Sequence, residues 1–248
     1  MKKFRLYGIV LLVSLSALLQ SCDDDSGYSI GDLGADWVTV HVEGDGVYSF
    51  TGDQWGTMWP AATSIVGYRG NEGDRAILYF NPLQQGFQGY DFAIKPEFIE
   101  PILTKTVEEL NAENESEFGD DPAYIYDVWV AGGYLNMTFR QKVPAAKAHR
   151  VSLVRNMKET TGEVEEQEDG YIHLEYRYNT YGDTLNRMVS GAVCYNLSTL
   201  EEELEVAKGI KLLIHSAVNG HRVLTFTKEV SGTPEEARKL NVSEMKVK

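Results

Sequence analysis

Short apolar runs separated by turn residues dominate the chain from Asp36 onward, over residues 37–42, 47–51, 65–68, 76–81 and 90–94. Such spacing predicts a small all-β unit. Gly44-Asp45-Gly46 between the first two runs is a hairpin signal, because Gly and Asp tolerate the positive φ angles of tight turns. In the fourth run Ala76, Leu78 and Phe80 alternate with Ile77 and Tyr79, so both faces are apolar and the strand is expected to be covered on both sides. Five strands closing on themselves suit an OB-like barrel.

The pattern breaks at Pro96 and Pro101, and residues 104–110 read as a short helical turn or an extended connector. An acidic linker with Glu113, Glu115, Glu117, Asp120 and Asp121 follows, without the ordered alternation of oxygen ligands that a calcium loop needs. A second series covers residues 124–130, 134–142, 148–155, 171–178, 187–195, 210–216 and 221–228. Seven strands predict an antiparallel β-sandwich. Gly132-Gly133 and Asn219-Gly220 stand where hairpin turns would join neighbours. Trp129, in the run Val128-Trp129-Val130, is expected to be buried in the sandwich or against the barrel. The expected organisation is a leader over 1–21, an acidic tether over 22–35, the barrel over 36–110, the sandwich over 111–230 and a tail over 231–248. In that tail Thr233 and Pro234 could cap a short helix.

The first 21 residues change the picture from a plain globular chain to an exported one. Lys2, Lys3 and Arg5 precede an apolar run from Leu6 to Leu19, the plan of a secretory signal. The run is shorter than the roughly 20 residues that span a bilayer. Leu19-Gln20-Ser21-Cys22 resembles the lipobox of bacterial lipoproteins, in which the cysteine becomes the acylated first residue. Asp23, Asp24 and Asp25 resemble the acidic signal that sends lipoproteins of gut anaerobes to the outer face of the outer membrane. The expected location is therefore a lipid anchor in the outer membrane facing the cell surface, with a periplasm-facing anchor as the alternative.

Charge narrows the possible partners. The whole chain carries 23 basic and 37 acidic side chains, a net −14, and loss of the leader leaves 20 against 37, or −17. Residues 36–104 hold 3 basic and 9 acidic groups, and 111–230 hold 12 and 19, so neither unit offers a basic groove. An OB-like barrel without one lacks the main source of affinity for nucleic acid. With Cys22 committed to lipid, Cys194 has no disulfide partner, and its apolar strand predicts a buried thiol.

Candidate chemistry is sparse. His41, His149, His173, His215 and His221 show no spacing that sets two metal ligands on one strand face, and no His-Glu-x-x-His helix, phosphate loop, dinucleotide motif or Gly-x-Ser-x-Gly is present. No cofactor and no metal is expected. Trp37, Tyr48, Trp55, Trp59 and Tyr68 form the one aromatic cluster that could serve as a ligand platform, since aromatic faces on such a barrel stack sugars or bases.

Four strings carry a family resemblance: TMWPAATSIVGY at 57–68, QGYDFAIKPEFIEPILTKTVEEL at 88–110, GDDPAYIYDVWVAGGYLNMTFR at 119–140 and HRVSLVRN at 149–156. Together the chain resembles the NigD-like bacterial lipoproteins. The resemblance implies an N-terminal OB domain followed by a C-terminal β-sandwich, and a role related to bacteriocin immunity. It supplies no catalytic residues. The expected function is a non-enzymatic surface lipoprotein that binds a protein partner, with a glycan-binding accessory lipoprotein using exposed aromatics as the alternative.

Overall fold

The structure, a computed structural model, describes residues 32–158 and 169–228. Cys22, Asp23, Asp24, Asp25 and the tail with Thr233 lie outside the described residues. The first unit is a closed barrel in the order β1-β2-β3-β5-β4, built from β1 (Gly34–Gly44), β2 (Val47–Gly52), β3 (Gly56–Pro60), β4 (Arg75–Phe87) and β5 (Tyr90–Pro101). Val38, Val40, Phe50, Met58, Ala76, Leu78, Phe80 and Ile94 fill it. Gly44, Asp45 and Gly46 all have positive φ (103°, 50° and 78°), as the β1–β2 hairpin requires. Gly52 is needed for closeness: a Cβ there would lie 2.1 Å from Asp36 Oδ2 and 2.9 Å from Met58 Cε. Ile99 closes the same core from β5.

The third barrel strand differs from expectation. Residues 65–68 are not a strand; Gly56–Pro60 pairs with β2 and, in parallel, with β5, while Ile65 and Tyr68 pack on the barrel core from a loop. Ile65 and Tyr68 are apolar because they plug the barrel, and an apolar loop imitates a short strand in sequence.

The second unit is one eight-stranded sheet in the order β13-β12-β10-β9-β6-β11-β8-β7. Its strands are β6 (Leu103–Leu110), β7 (Tyr124–Ala131), β8 (Tyr134–Pro144), β9 (Arg150–Asn156), β10 (Ile172–Asn179), β11 (Thr184–Asn196), β12 (Gly209–Ser216) and β13 (Gly220–Thr227). Two short helices accompany them, α1 (Glu115–Phe118) and α2 (Glu201–Val206). Strand β6 is the fold line. Its first half pairs with β11 and its second half with β9, both in parallel, and the sheet doubles over so that Leu135, Met137 and Phe139 on one layer meet Leu153, Leu174 and Leu212 on the other. Residues 104–110 are thus neither helix nor connector but the strand shared by both layers. The passage from barrel to sandwich is the single residue Ile102, whose N–H donates to the Arg75 carbonyl at 2.8 Å.

Cys194 is fully buried on β11, in a cluster with Ile102 and Tyr134 where the two units meet. Burial pushes its thiol up to about 11, although the neighbouring Arg75 works in the other direction. In the Cys22→Ser chain, Ellman's reagent at pH 8 is expected to find no reactive thiol until the protein is unfolded, and then one. Rapid labelling of the folded chain would contradict this burial.

Candidate functional site

The five aromatics of the expected platform do not share a face. Trp37 points from β1 into the junction, edge-on to Trp129 of β7 with ring centroids 4.6 Å apart. Tyr48 and Tyr68 meet edge-on at 5.1 Å and pack against the barrel core. Trp55 sits edge-on to Phe80 and Phe92, and Trp59 leans on Tyr90 at 45°. All five are half-buried. Packing within the barrel and between the units uses their surface.

The junction is held by a buried ion pair. Arg75 is 0% exposed, and its Nη2 donates to Asp53 Oδ2 at 2.7 Å and to Asn136 Oδ1 of β8 at 3.3 Å, while Nη1 donates to Thr39 Oγ1 at 3.1 Å. Burial opposes its charge, and the hydrogen bond and Coulomb attraction from Asp53 more than offset that, leaving the guanidinium more strongly protonated than usual. Trp129 Nε1 donates to the same Asp53 oxygen at 3.4 Å, so the tryptophan lies against the barrel, the second of its two expected places, though half-buried and not fully enclosed. Tyr134 completes the contact by donating to the Gly73 carbonyl at 2.6 Å. Beside the junction an open cleft of about 480 Å³ runs between residues 72–74 and β6, but Lys105 and Glu108 in it are paired with each other at 2.9 Å.

Two surface features were not anticipated. On β7, an edge strand of the sheet, alternation sets Tyr124 and Tyr126 on the same outer side, and a bulge between Ile125 and Asp127 brings the exposed Asp127 to that side as well. Both tyrosines are exposed, and Arg140, paired with Tyr124 across β8, reaches the Tyr126 hydroxyl at 3.5 Å. Lys142 stands two residues further along β8 and is also exposed. In sequence Arg140 reads as part of the polar face of an alternating strand, and only the pairing of β7 with β8 brings it beside the two tyrosines.

The second is a cluster of Asp120, His215 and His221. His215 on β12 and His221 on β13 are direct cross-strand partners, and their rings stack at 4.2 Å and 19°. Asp120 arrives from the segment between α1 and β7. Spacing along the chain hid this group: the histidines are joined through a hairpin turn, and the aspartate stands 95 residues before His215.

The sequence profile of the NigD-like C-terminal β-sandwich domain matches residues 105–228, and that of the NigD-like N-terminal OB domain matches residues 37–101. The chain belongs to the NigD-like family. The start of the NigD-like sandwich at 105 falls within β6, in keeping with that strand's place in the second sheet. Among solved structures, this NigD-like chain is similar to a protein of unknown function from Bacteroides vulgatus, with 24% identity over 81% of this chain and 92% of that one and a TM-score of 0.71. It is similar to a protein described as toxin-related from Parabacteroides distasonis, with 27% identity, 84% and 98% coverage and a TM-score of 0.65. A NigD-like immunity protein from Bacteroides caccae shares the fold at 14% identity, 82% and 99% coverage and a TM-score of 0.55. No curated protein matches the chain.

Proposed function

We propose that this chain is a non-enzymatic, lipid-anchored envelope protein that acts by binding a protein partner, as an immunity protein does. The observation that carries the reading is the edge-strand patch of Tyr124, Tyr126 and Arg140. Tyrosine and arginine are the residue types that most often dominate protein interfaces. Arg140 and Lys142 outnumber the neighbouring exposed Asp127, so the patch carries a net positive charge on a chain of net −14, which suits an acidic partner surface. Family membership and the immunity protein of the same fold support the reading. The lipid is carried by Cys22, and Asp23, Asp24 and Asp25 direct the anchored protein to the outer face of the outer membrane.

Site-specific photocrosslinking on intact cells of the native host tests this. Tyr126→p-benzoylphenylalanine is expected to give a discrete protein adduct that disappears with Arg140→Glu, whereas the same probe at the exposed helical position Glu201 gives none. The adduct should also disappear when Cys22→Ser releases the chain from the membrane. Identical adducts from both probe positions, or none from Tyr126, would overturn the assignment of this face.

A further inference from the structure

We propose that Asp120, His215 and His221 form a binding site for a borderline divalent transition metal, with zinc as the reference ion. The donor spacing carries the argument. Asp120 Oδ2 lies 3.6 Å from His215 Nδ1 and 3.5 Å from His221 Nε2. Both separations are too long for good hydrogen bonds. They are close to the edge, about 3.4 Å, of a tetrahedron whose corners stand roughly 2.0–2.2 Å from zinc. All three donors fall within 4.8 Å of one another. One ion therefore fits among them through side-chain adjustment alone, with solvent at the remaining coordination position.

The backbones beneath these donors are fixed. The β12–β13 ladder sets His215 opposite His221, flanked by the Ile214–Arg222 and Ser216–Gly220 pairs. Asp120 is bracketed by the Asp121 N–H, which donates to the Tyr178 carbonyl at 2.8 Å, and by the Ala123 N–H, which donates to the His215 carbonyl at 2.9 Å. Arg177 Nη1 approaches the other Asp120 oxygen, Oδ1, at 3.5 Å, which leaves Oδ2 turned toward the imidazoles. An outer partner that orients a ligating carboxylate in this way is a regular part of metal sites. Glu175 pairs with Arg177, so the guanidinium charge does not cancel that of Asp120. One interaction competes: His215 Nδ1 donates to the Asp120 carbonyl at 2.7 Å when no ion is bound. On metal binding that proton moves to Nε2 through solvent and Nδ1 becomes the ligand, with no net change in protonation. Two imidazoles and one carboxylate are a donor set suited to zinc, copper or nickel and not to calcium or magnesium.

Calorimetric titration of zinc into the chelator-treated full-length chain in detergent is expected to show one saturable site of micromolar affinity. His215→Ala, His221→Ala and Asp120→Asn should each weaken it by more than about tenfold. Near-UV circular dichroism verifies that the variants keep the fold. Copper supplies an independent reading: the electron paramagnetic resonance signal of the bound ion should show two imidazole nitrogens in the parent chain and one in His221→Ala. Zinc affinity unchanged in the His215→Ala/His221→Ala double variant, or the absence of saturable binding to the folded parent, would overturn the site. Neither result depends on whether Tyr126 contacts a partner.

Discussion

Asp53→Ala is expected to destabilise the protein by about 3–5 kcal/mol, the usual cost of stranding one member of a buried ion pair. The Arg75 guanidinium is wholly enclosed, and among the side-chain atoms that receive its hydrogen bonds Asp53 carries the only negative charge. Removing that carboxylate leaves a cation in a low-dielectric junction and takes the acceptor from Trp129 Nε1 at the same stroke. For a protein of this size the loss corresponds to roughly 10 °C in Tm. Thermal and urea unfolding measure it directly. Adding Arg75→Met to Asp53→Ala should recover part of the stability, because an apolar side chain of similar length does not need a counter-charge. A loss below about 1 kcal/mol would mean that water already solvates the guanidinium and that the two units are only loosely joined.

Leu153→Ala is expected to cost about 2–5 kcal/mol, through lost apolar transfer and the cavity left behind. Leu153 lies at the centre of β9 with no exposed surface, paired with Val107 of β6 on one side and Tyr176 of β10 on the other. Its neighbours in the core include the buried rings of Tyr176, Tyr178 and Tyr195. Planar rings held by the sheet cannot flow into a leucine-sized void, which puts the expected loss toward the upper part of the range. Urea denaturation should show a lower midpoint with an unchanged slope. A cost under about 1 kcal/mol would show that the two layers close up freely over β9.

The fate of residues 103–110 shows where sequence reading loses its grip. Residues 104–110 read as a helical turn or a connector because β6 carries Lys105, Glu108 and Glu109, which give it no apolar face. Lateral pairing accommodates the first two: Lys105 Nζ donates to the Val151 carbonyl of β9 at 2.8 Å, and Glu108 is held by Lys105 and by Arg150 at 2.6 Å. Partners drawn from β9 make charge tolerable in the middle of a sheet. Nothing in residues 103–110 announces them.

Alternation and turn chemistry were enough, by themselves, to determine an all-β chain with a barrel before a larger sheet, because side chains at period two and residues that tolerate positive φ act locally. Local rules likewise marked Cys194 as an apolar strand position. Tertiary structure alone decided which apolar run plugs the barrel as a loop, that Trp37 and Trp129 meet edge-on between the units, and that Arg75 is sealed against Asp53. It also decided that Asp120 comes within 3.6 Å of a histidine pair set by a hairpin. Each of these is a contact between residues far apart in the chain. Their geometry follows from strand register and sheet folding, which depend on the sum of many burials and not on any one segment.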